Sequence, residues 1–121
     1  MVLEHLVGAR REAAAPYETF AKALRLGELP NTYVKVPGLG EISKRPSVLR
    51  RQFRFDETPP FIEMVYEAFG PRRMMWGSDY PHDEGTFPNS REVIERTFKD
   101  IPEDEKWKIV GGNAARVYHL D

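Results

Sequence analysis

Three short apolar segments, spaced roughly 30 to 40 residues apart, constrain the fold of this chain more than any other feature. The segments cover residues 2–5, 32–36 and 74–76, and amphipathic stretches lie between them. Strands that are separated in this way by helices run parallel, and their connections are right-handed. The spacing therefore predicts an α/β fold built on a parallel sheet.

The number of strands limits what that sheet can form. A closed barrel of eight such units needs about 250 residues, whereas this chain has 121. Three parallel strands cannot close, so both sheet edges and the face that would line a barrel would be left exposed. The count predicts either a piece of a larger protein or a chain that assembles with something.

The stretches between the strands have helical patterns of apolar residues. We expect one helix to begin near Tyr17 and to end at Gly27, and another to cover residues 61–69. Two more are expected at 89–101 and 102–110, where Gly111-Gly112 is predicted to break the helix and Asn113 to cap a last short turn. Residues 38–60 are rich in Gly, Arg and Pro and are predicted to form a loop.

Composition and charge exclude several classes of function. The net charge is −1, and basic residues are scattered among acidic ones, so a nucleic-acid partner is not predicted. The chain has no Cys, which excludes disulfides, thiolate metal ligands and a Cys nucleophile. No apolar run approaches the ~20 residues that span a bilayer, and the first residues are not expected to form a signal peptide. We therefore expect a cytoplasmic protein without a membrane partner.

The segment after the third strand carries the strongest indication of chemistry. Met74, Met75 and Trp76 form a continuous apolar run, and Gly77, Ser78 and Asp79 follow it. In parallel α/β folds, ligands bind at the carboxyl ends of the strands, where Asp79 would lie. The alternative interpretation is a turn that closes the strand, with the Asp79 carboxylate bonded to nearby backbone amides.

Three segments resemble the C-terminal part of the amidohydrolase-related family, of the amidohydrolase 2 type. They read YVKVPGLGE at 33–41, FGPRRMMWGSDYP at 69–81 and GNAARVY at 112–118. The family consists of TIM-barrel enzymes and includes lactonases, other metal-dependent hydrolases and decarboxylases like aminocarboxymuconate-semialdehyde decarboxylase. The resemblance covers essentially the whole chain and implies a partial TIM (β/α)8 barrel of about three C-terminal units, with residues 1–121 belonging to one barrel domain.

The resemblance also implies roles for two residues. Asp79 is similar to the family's Asp after the last strand, a metal ligand or a general base for an activated water. His5 is similar to the histidine at the end of the sixth strand, a metal ligand or a group that polarises the substrate. The family's usual motif at this position is Asp-His-Leu-Gly. This chain has Glu4-His5-Leu6-Val7-Gly8 instead, with one extra residue before the glycine.

Most of the family's metal ligands have no counterpart in this sequence. The histidines are His5, His82 and His119, and no two of them form a His-x-His pair. A catalytic metal site takes three or more protein ligands, so His5 and Asp79 alone cannot make one. We expect zinc or manganese in an intact parent enzyme, and no metal bound by this chain alone.

The remaining candidates have mainly structural interpretations. Lys35 either enters the barrel as a partner of a substrate or a carboxylate, or forms an interior structural ion pair. His82, Asp83 and Glu84 are expected to lie in a solvated loop, and so are the arginines of the long loop, Arg45, Arg50, Arg51 and Arg54. His119 is expected to be structural or exposed, and Ser78 lacks the surroundings of a serine nucleophile. Trp76 and Trp107 are predicted to belong to the core.

The sequence thus predicts the C-terminal portion of a hydrolase that cleaves a lactone, ester or amide-like bond with a metal-activated water, and that is inactive alone. Nonoxidative decarboxylation on the same scaffold is an alternative. A noncatalytic half-barrel that acts as an assembly module, or a gene remnant, is another, so whether this chain is an enzyme stays open. Expected partners are a small-molecule substrate in the parent, and either a second copy of the chain or the missing N-terminal half.

Overall fold

The computed structural model describes residues 1–9, 13–37, 60–78, 80 and 87–120. Within this part the chain forms a mixed α/β fold with a small parallel sheet, which confirms the predicted class. The strands are β1 (Val2–Leu3), β2 (Tyr33–Val36) and β3 (Met74–Trp76). The helices are α1 (Glu18–Leu24), α2 (Phe61–Phe69), α3 (Phe87–Thr97), α4 (Glu103–Trp107) and α5 (Asn113–Tyr118), with a 3-10 turn at Arg25–Glu28 and a π turn at Lys108–Gly112.

The sheet has the order β1-β2-β3, and all pairs are parallel. Val34 pairs with Leu3 on one side and with Met74 on the other, whereas Lys35 pairs with Met75. Paired residues of parallel strands point to the same face, and neighbours along a strand point to opposite faces. One face therefore carries Val34 and Met74, and the opposite face carries Lys35 and Met75.

The face with Val34 packs against the helices and forms the core. Val34, Val36 and Met74 are fully buried there. They join the apolar stripes of α1 and α2, where Phe20 lies 4.6 Å from Phe61 between ring centroids. The buried side of α2 consists of Phe61, Ile62, Val65 and Phe69, which is the stripe that the sequence predicts. The helix ends at Gly70, whose φ of 69° is unfavourable for other residues.

The C-terminal helices differ from the sequence prediction in two ways. Gly111-Gly112 does not break the helix: a π turn connects α4 to α5, and Gly112 has right-handed helical φ and ψ of −58° and −38°. Trp107 does not belong to the core, because it is 70% exposed. An insertion of one residue into a helix produces such a π turn, and a sequence pattern of fixed period cannot register it.

Helix α5 lies against the second face of the sheet. The Arg116 guanidinium is 5.7 Å from the centroid of the Tyr33 ring, and Lys35 Nζ is 5.7 Å from the Tyr118 ring. Met75 on this face is only 1% exposed. The expectation that the whole face is left exposed is therefore wrong, although β1 and β3 remain as open edges in the described part of the sheet.

The same part of the chain contains no helix long and apolar enough to cross a membrane.

Candidate functional site at the carboxyl end of the sheet

His5 lies two residues after the end of β1, exposed at the carboxyl end of the sheet. Its backbone begins a turn in which every residue has a positive φ: 47° at His5, 46° at Leu6, 58° at Val7 and 75° at Gly8. A left-handed conformation costs an L-residue about 1–2 kcal/mol, and it is a genuine outlier for the β-branched Val7. Strain of this kind persists only where the surroundings impose it, and it is concentrated at functional sites.

Glu4 connects this turn to the central strand. Lys35 Nζ donates a hydrogen bond of 2.8 Å to Glu4 Oε1, and the two side chains are 36% and 57% exposed. The hydrogen bond to Glu4 raises the pKa of Lys35, and Tyr118 adds to the effect. Lys35 thus forms an ion pair, but the pair is half-exposed rather than interior, and a role of Lys35 towards a substrate stays a prediction. Sequence reasoning missed Glu4 as its partner, although residue 4 is the next parallel position opposite Lys35 in the register of the two strands.

Asp79, the other predicted site residue, lies outside the described residues, so the structure does not test whether it meets His5. Its neighbours are described. Ser78 is half-buried after β3, and the Tyr80 backbone N–H donates to Ser78 Oγ at 3.2 Å. This contact is typical of a turn at the strand end. The hydroxyl of Ser78 thus accepts a local hydrogen bond, in agreement with the absence of a nucleophile motif.

A groove of about 930 Å³ opens beside the same strand end, on the side of the sheet that the helices cover. Its charged residues are paired with one another: Arg91 with Glu95 at 3.2 Å, and Lys106 with Glu103 at 2.9 Å. Its apolar wall includes Trp107. Ion pairs within the wall leave little net charge to polarise a substrate. The rest of the lining comes from the end of β3 and from α3 and the π turn, namely Trp76, Ser78, Tyr80, Ile94 and Val110.

The amino end of the sheet is organised differently, because its polar side chains bond to backbone carbonyls. Asn113 Nδ2 donates to the carbonyls of Pro71 at 2.6 Å and Met74 at 2.8 Å, and the residue is 3% exposed. Arg73 donates to two carbonyls at the end of α2, those of Phe69 and Ala68, and to the Leu29 carbonyl in the loop before β2. The prediction that Asn113 caps a turn is wrong: its side chain connects α5 to β3.

The described residues do not fit a metal site. Among them, no group of three or more His, Cys, Asp or Glu side chains is arranged to hold an ion. Of the two proposed ligands, only His5 is among the described residues, and one side chain is fewer than a stable metal site requires.

The other candidates from the sequence give mixed outcomes. His119 is exposed, as predicted, and has a φ of 53° at the end of α5. Trp76 packs partly buried against the core, also as predicted. The cluster of His82, Asp83 and Glu84 lies outside the described residues. The four loop arginines lie there as well, namely Arg45, Arg50, Arg51 and Arg54.

Known proteins with similar sequences and structures indicate the family of this chain. Residues 1–120 match the Amidohydrolase family. The L-fucono-1,5-lactonase of Burkholderia ambifaria is 30% identical over an alignment of 101 residues, which covers 76% of this chain and 32% of that protein. Two crystal structures of an amidohydrolase from Burkholderia multivorans, one with bound zinc and one with bound HEPES, are each 28% identical in sequence to this chain. Their TM-scores are 0.71 and 0.73.

Each of these two structures aligns with 99% of this chain, which corresponds to 44% of its own length. Amidohydrolase 2 of Bifidobacterium longum subsp. infantis is similar at 25% identity and a TM-score of 0.64, with 40% of its length covered. This chain thus spans about a third of the curated relative and less than half of the solved structures. The family match extends over nearly every residue, and the chain belongs to the Amidohydrolase family.

Proposed function

We propose that residues 1–121 form the C-terminal part of one amidohydrolase barrel domain, and that the complete barrel hydrolyses a lactone, ester or amide-like bond. The observation that carries this proposal is the order of the sheet. Three parallel strands stand side by side, and His5 and the Ser78-Asp79 segment follow the carboxyl ends of the two outer strands. Parallel barrels bind their substrates at that end.

A lactone is the substrate class that the relatives favour. The curated relative is named as a lactonase, which acts on a cyclic ester. Its name also favours hydrolysis over decarboxylation. Because the chain spans only part of that protein, the activity is proposed for a complete barrel, with a small molecule as substrate.

In the proposed reaction, the Asp79 carboxylate accepts a proton from water as the water oxygen attacks the carbonyl carbon. The tetrahedral intermediate then collapses, the ring C–O bond breaks, and the leaving alkoxide takes up the proton. General-base catalysis of this kind contributes about 10²–10⁴-fold in rate. His5 would polarise the carbonyl or orient the substrate. Zinc is bound in one of the family's crystal structures, and His5 and Asp79 are our proposed ligands for zinc or manganese in an intact parent.

The test uses a barrel completed with the part of the Burkholderia multivorans amidohydrolase that this chain does not cover. On a panel of sugar lactones, Asp79→Asn should lower kcat/KM by about 10²–10⁴-fold. Asp83→Asn, in the same segment, is the matched control and should stay within about tenfold of the unchanged protein. Equal losses in both variants, or a loss that follows the melting temperature, would make Asp79 a turn residue and overturn the proposal.

The chain by itself is the second arm of the experiment. We expect no turnover from the purified 121 residues, with or without zinc or manganese, because the remaining ligands are absent. Light scattering should show dimers or larger species, since the open edges of β1 and β3 favour association. Robust turnover that Asp79→Asn abolishes, or a sharp monomer peak with a cooperative melt, would contradict the incomplete barrel.

A further inference from the structure

The strained turn after β1 raises the question of what holds it in place. The turn closes on itself through two backbone hydrogen bonds, from Val7 N–H to the Glu4 carbonyl at 3.0 Å and from Ala9 N–H to the Leu6 carbonyl at 3.1 Å. Such bonds are available to many right-handed turns as well. They do not explain why four consecutive residues keep a positive φ.

The first anchor is apolar. Leu6 is fully buried, and it belongs to the same core cluster as Phe20 and Val34. Val7 packs partly buried against that cluster. A right-handed backbone through the turn would point these side chains in other directions, so keeping Leu6 in the core requires the left-handed path.

The second anchor is ionic. Glu4 is the residue just before the turn, and its carboxylate is held at 2.8 Å by Lys35 Nζ. Lys35 belongs to β2, which pairs with a strand on each side and is the most constrained part of the sheet. The Tyr118 ring lies 5.7 Å from the Lys35 ammonium and limits its directions from α5. Glu4 is therefore tied to a rigid element on the face opposite to the core.

His5 is the residue between these two anchors. We propose that Glu4 and Lys35 are positioning residues for His5: the ion pair fixes the residue before the turn, Leu6 fixes the residue after it, and the left-handed backbone presents the imidazole at the carboxyl end of the sheet. The inference rests on the proposed function, because it gives His5 a task there. It assigns Lys35 an indirect role, through His5, rather than contact with the substrate.

The turn itself can be tested in the 121-residue chain. Hydrogen exchange at single-residue resolution would follow the amides of Val7 and Ala9. Lys35→Met should accelerate exchange of these two amides about two- to fivefold relative to the rest of the sheet. Lys35→Arg should preserve their protection, and so should the exchanged pair Glu4→Lys with Lys35→Glu.

The matched control is another ion pair, in which Lys108 Nζ and Asp104 Oδ2 are 2.7 Å apart on α4 and the π turn. Lys108→Met should leave the amides of Val7 and Ala9 unchanged. If Lys35→Met changes them no more than Lys108→Met does, the ion pair does not hold the turn and the inference is wrong. If Lys35→Met unfolds the whole chain, the exchanged pair decides: loss of protection there also refutes the inference.

The completed barrel separates a positioning role from a merely structural one. Lys35→Met should lower kcat by about 10- to 100-fold, with little change in KM. Combined with His5→Gln, it should cause no further loss, because Lys35 acts only through His5. Additive losses would overturn the inference. If His5→Gln itself leaves turnover unchanged while the turn depends on Lys35, the proposed role of His5 fails, and with it the catalytic purpose of the positioning.

Discussion

The two ends of the sheet use polar side chains in opposite ways. At the amino end, Asn113 and Arg73 donate to backbone carbonyls near the end of α2 and the start of β3, and Asn113 is buried. At the carboxyl end, the exposed Glu4 pairs with Lys35, and His5 lies exposed on a strained backbone. Bonds to backbone carbonyls stabilise a fold, whereas strain and exposure reduce its stability.

The difference parallels the general arrangement of parallel barrels. Barrels of parallel strands place their reactive groups at the carboxyl end and their stabilising contacts at the amino end. In the described part of this chain, the polar bonds to backbone carbonyls lie at the amino end of the three strands, and the exposed ion pair and the strained turn lie at the carboxyl end. Substitutions at the amino end should therefore affect unfolding far more than the state of the turn at His5, and substitutions at the carboxyl end should do the reverse.

The largest effect on stability is expected for Asn113→Ala. The change removes the donor to the carbonyls of Pro71 and Met74 and leaves two buried acceptors without that partner. We expect the free energy of unfolding to fall by about 2–4 kcal/mol, measured by urea denaturation. Hydrogen exchange of the Val7 and Ala9 amides should change no more than exchange of the amides in the rest of the sheet. A loss below 0.5 kcal/mol, or turn amides that open while the sheet stays protected, would contradict the division between the two ends.

The sequence predicts the amino end less well than its contribution to stability would suggest. The residues 113–118 indicate a helix, which forms, but the pattern gives no reason for the Asn113 side chain to reach β3. A π turn precedes Asn113 directly, and the sequence pattern does not predict that turn either. A hydrogen bond between residues far apart in sequence depends on the tertiary structure, so the local periodicity of the sequence cannot predict it.

The core and the strands are predicted better because burial alone determines them. The apolar stripe of α2 and the alternation of Val34 and Val36 in β2 are local patterns of period 3.6 and 2. The candidate site is predicted in part. His5 is found at the strand end, but its left-handed turn is not. The one signal for it in the sequence is the extra residue, Val7, between Leu6 and Gly8, which lengthens the turn without indicating its hand.

A smaller effect is expected for Gly27→Ala. Gly27 is buried in the 3-10 turn that packs on α2, and a Cβ there would lie 2.5 Å from the backbone oxygen of Ala68. Because the obstacle is helix backbone, the two elements must separate. We expect a loss of about 1–3 kcal/mol in the free energy of unfolding.

Gly112→Ala provides the matched control for this substitution. A Cβ at Gly112 would also meet an atom at 2.5 Å, but that atom belongs to the ring of Trp107. The Trp107 side chain is 70% exposed and can move aside, and alanine favours the helical backbone of Gly112. We expect Gly112→Ala to change stability by less than about 0.5 kcal/mol. If both substitutions lowered the free energy of unfolding equally, the close packing of the 3-10 turn on α2 would not be the cause of the loss at Gly27.

A small effect on stability is expected at the carboxyl end, where the Lys35 ion pair is half-exposed. The hydrogen bond to Glu4 raises the pKa of Lys35 in the folded chain above its ordinary value. The charged form is therefore favoured by folding, so the contribution is fully present below the unfolded pKa of about 10.4. It is lost as the pH rises through the folded pKa. Exposed pairs contribute about 0.2–1 kcal/mol, and relaxation of the turn would offset part of the loss in Lys35→Met.

The measurement compares urea midpoints of the unchanged chain and Lys35→Met between about pH 8 and pH 11. The difference should stay constant up to about pH 10 and shrink above it. Added salt should reduce the difference at pH 8, because the pair is accessible to ions. A difference that is large and independent of pH would mean that Lys35 stabilises the fold through packing rather than charge. The carboxyl end would then resemble the amino end, and the proposed division of the sheet would not hold.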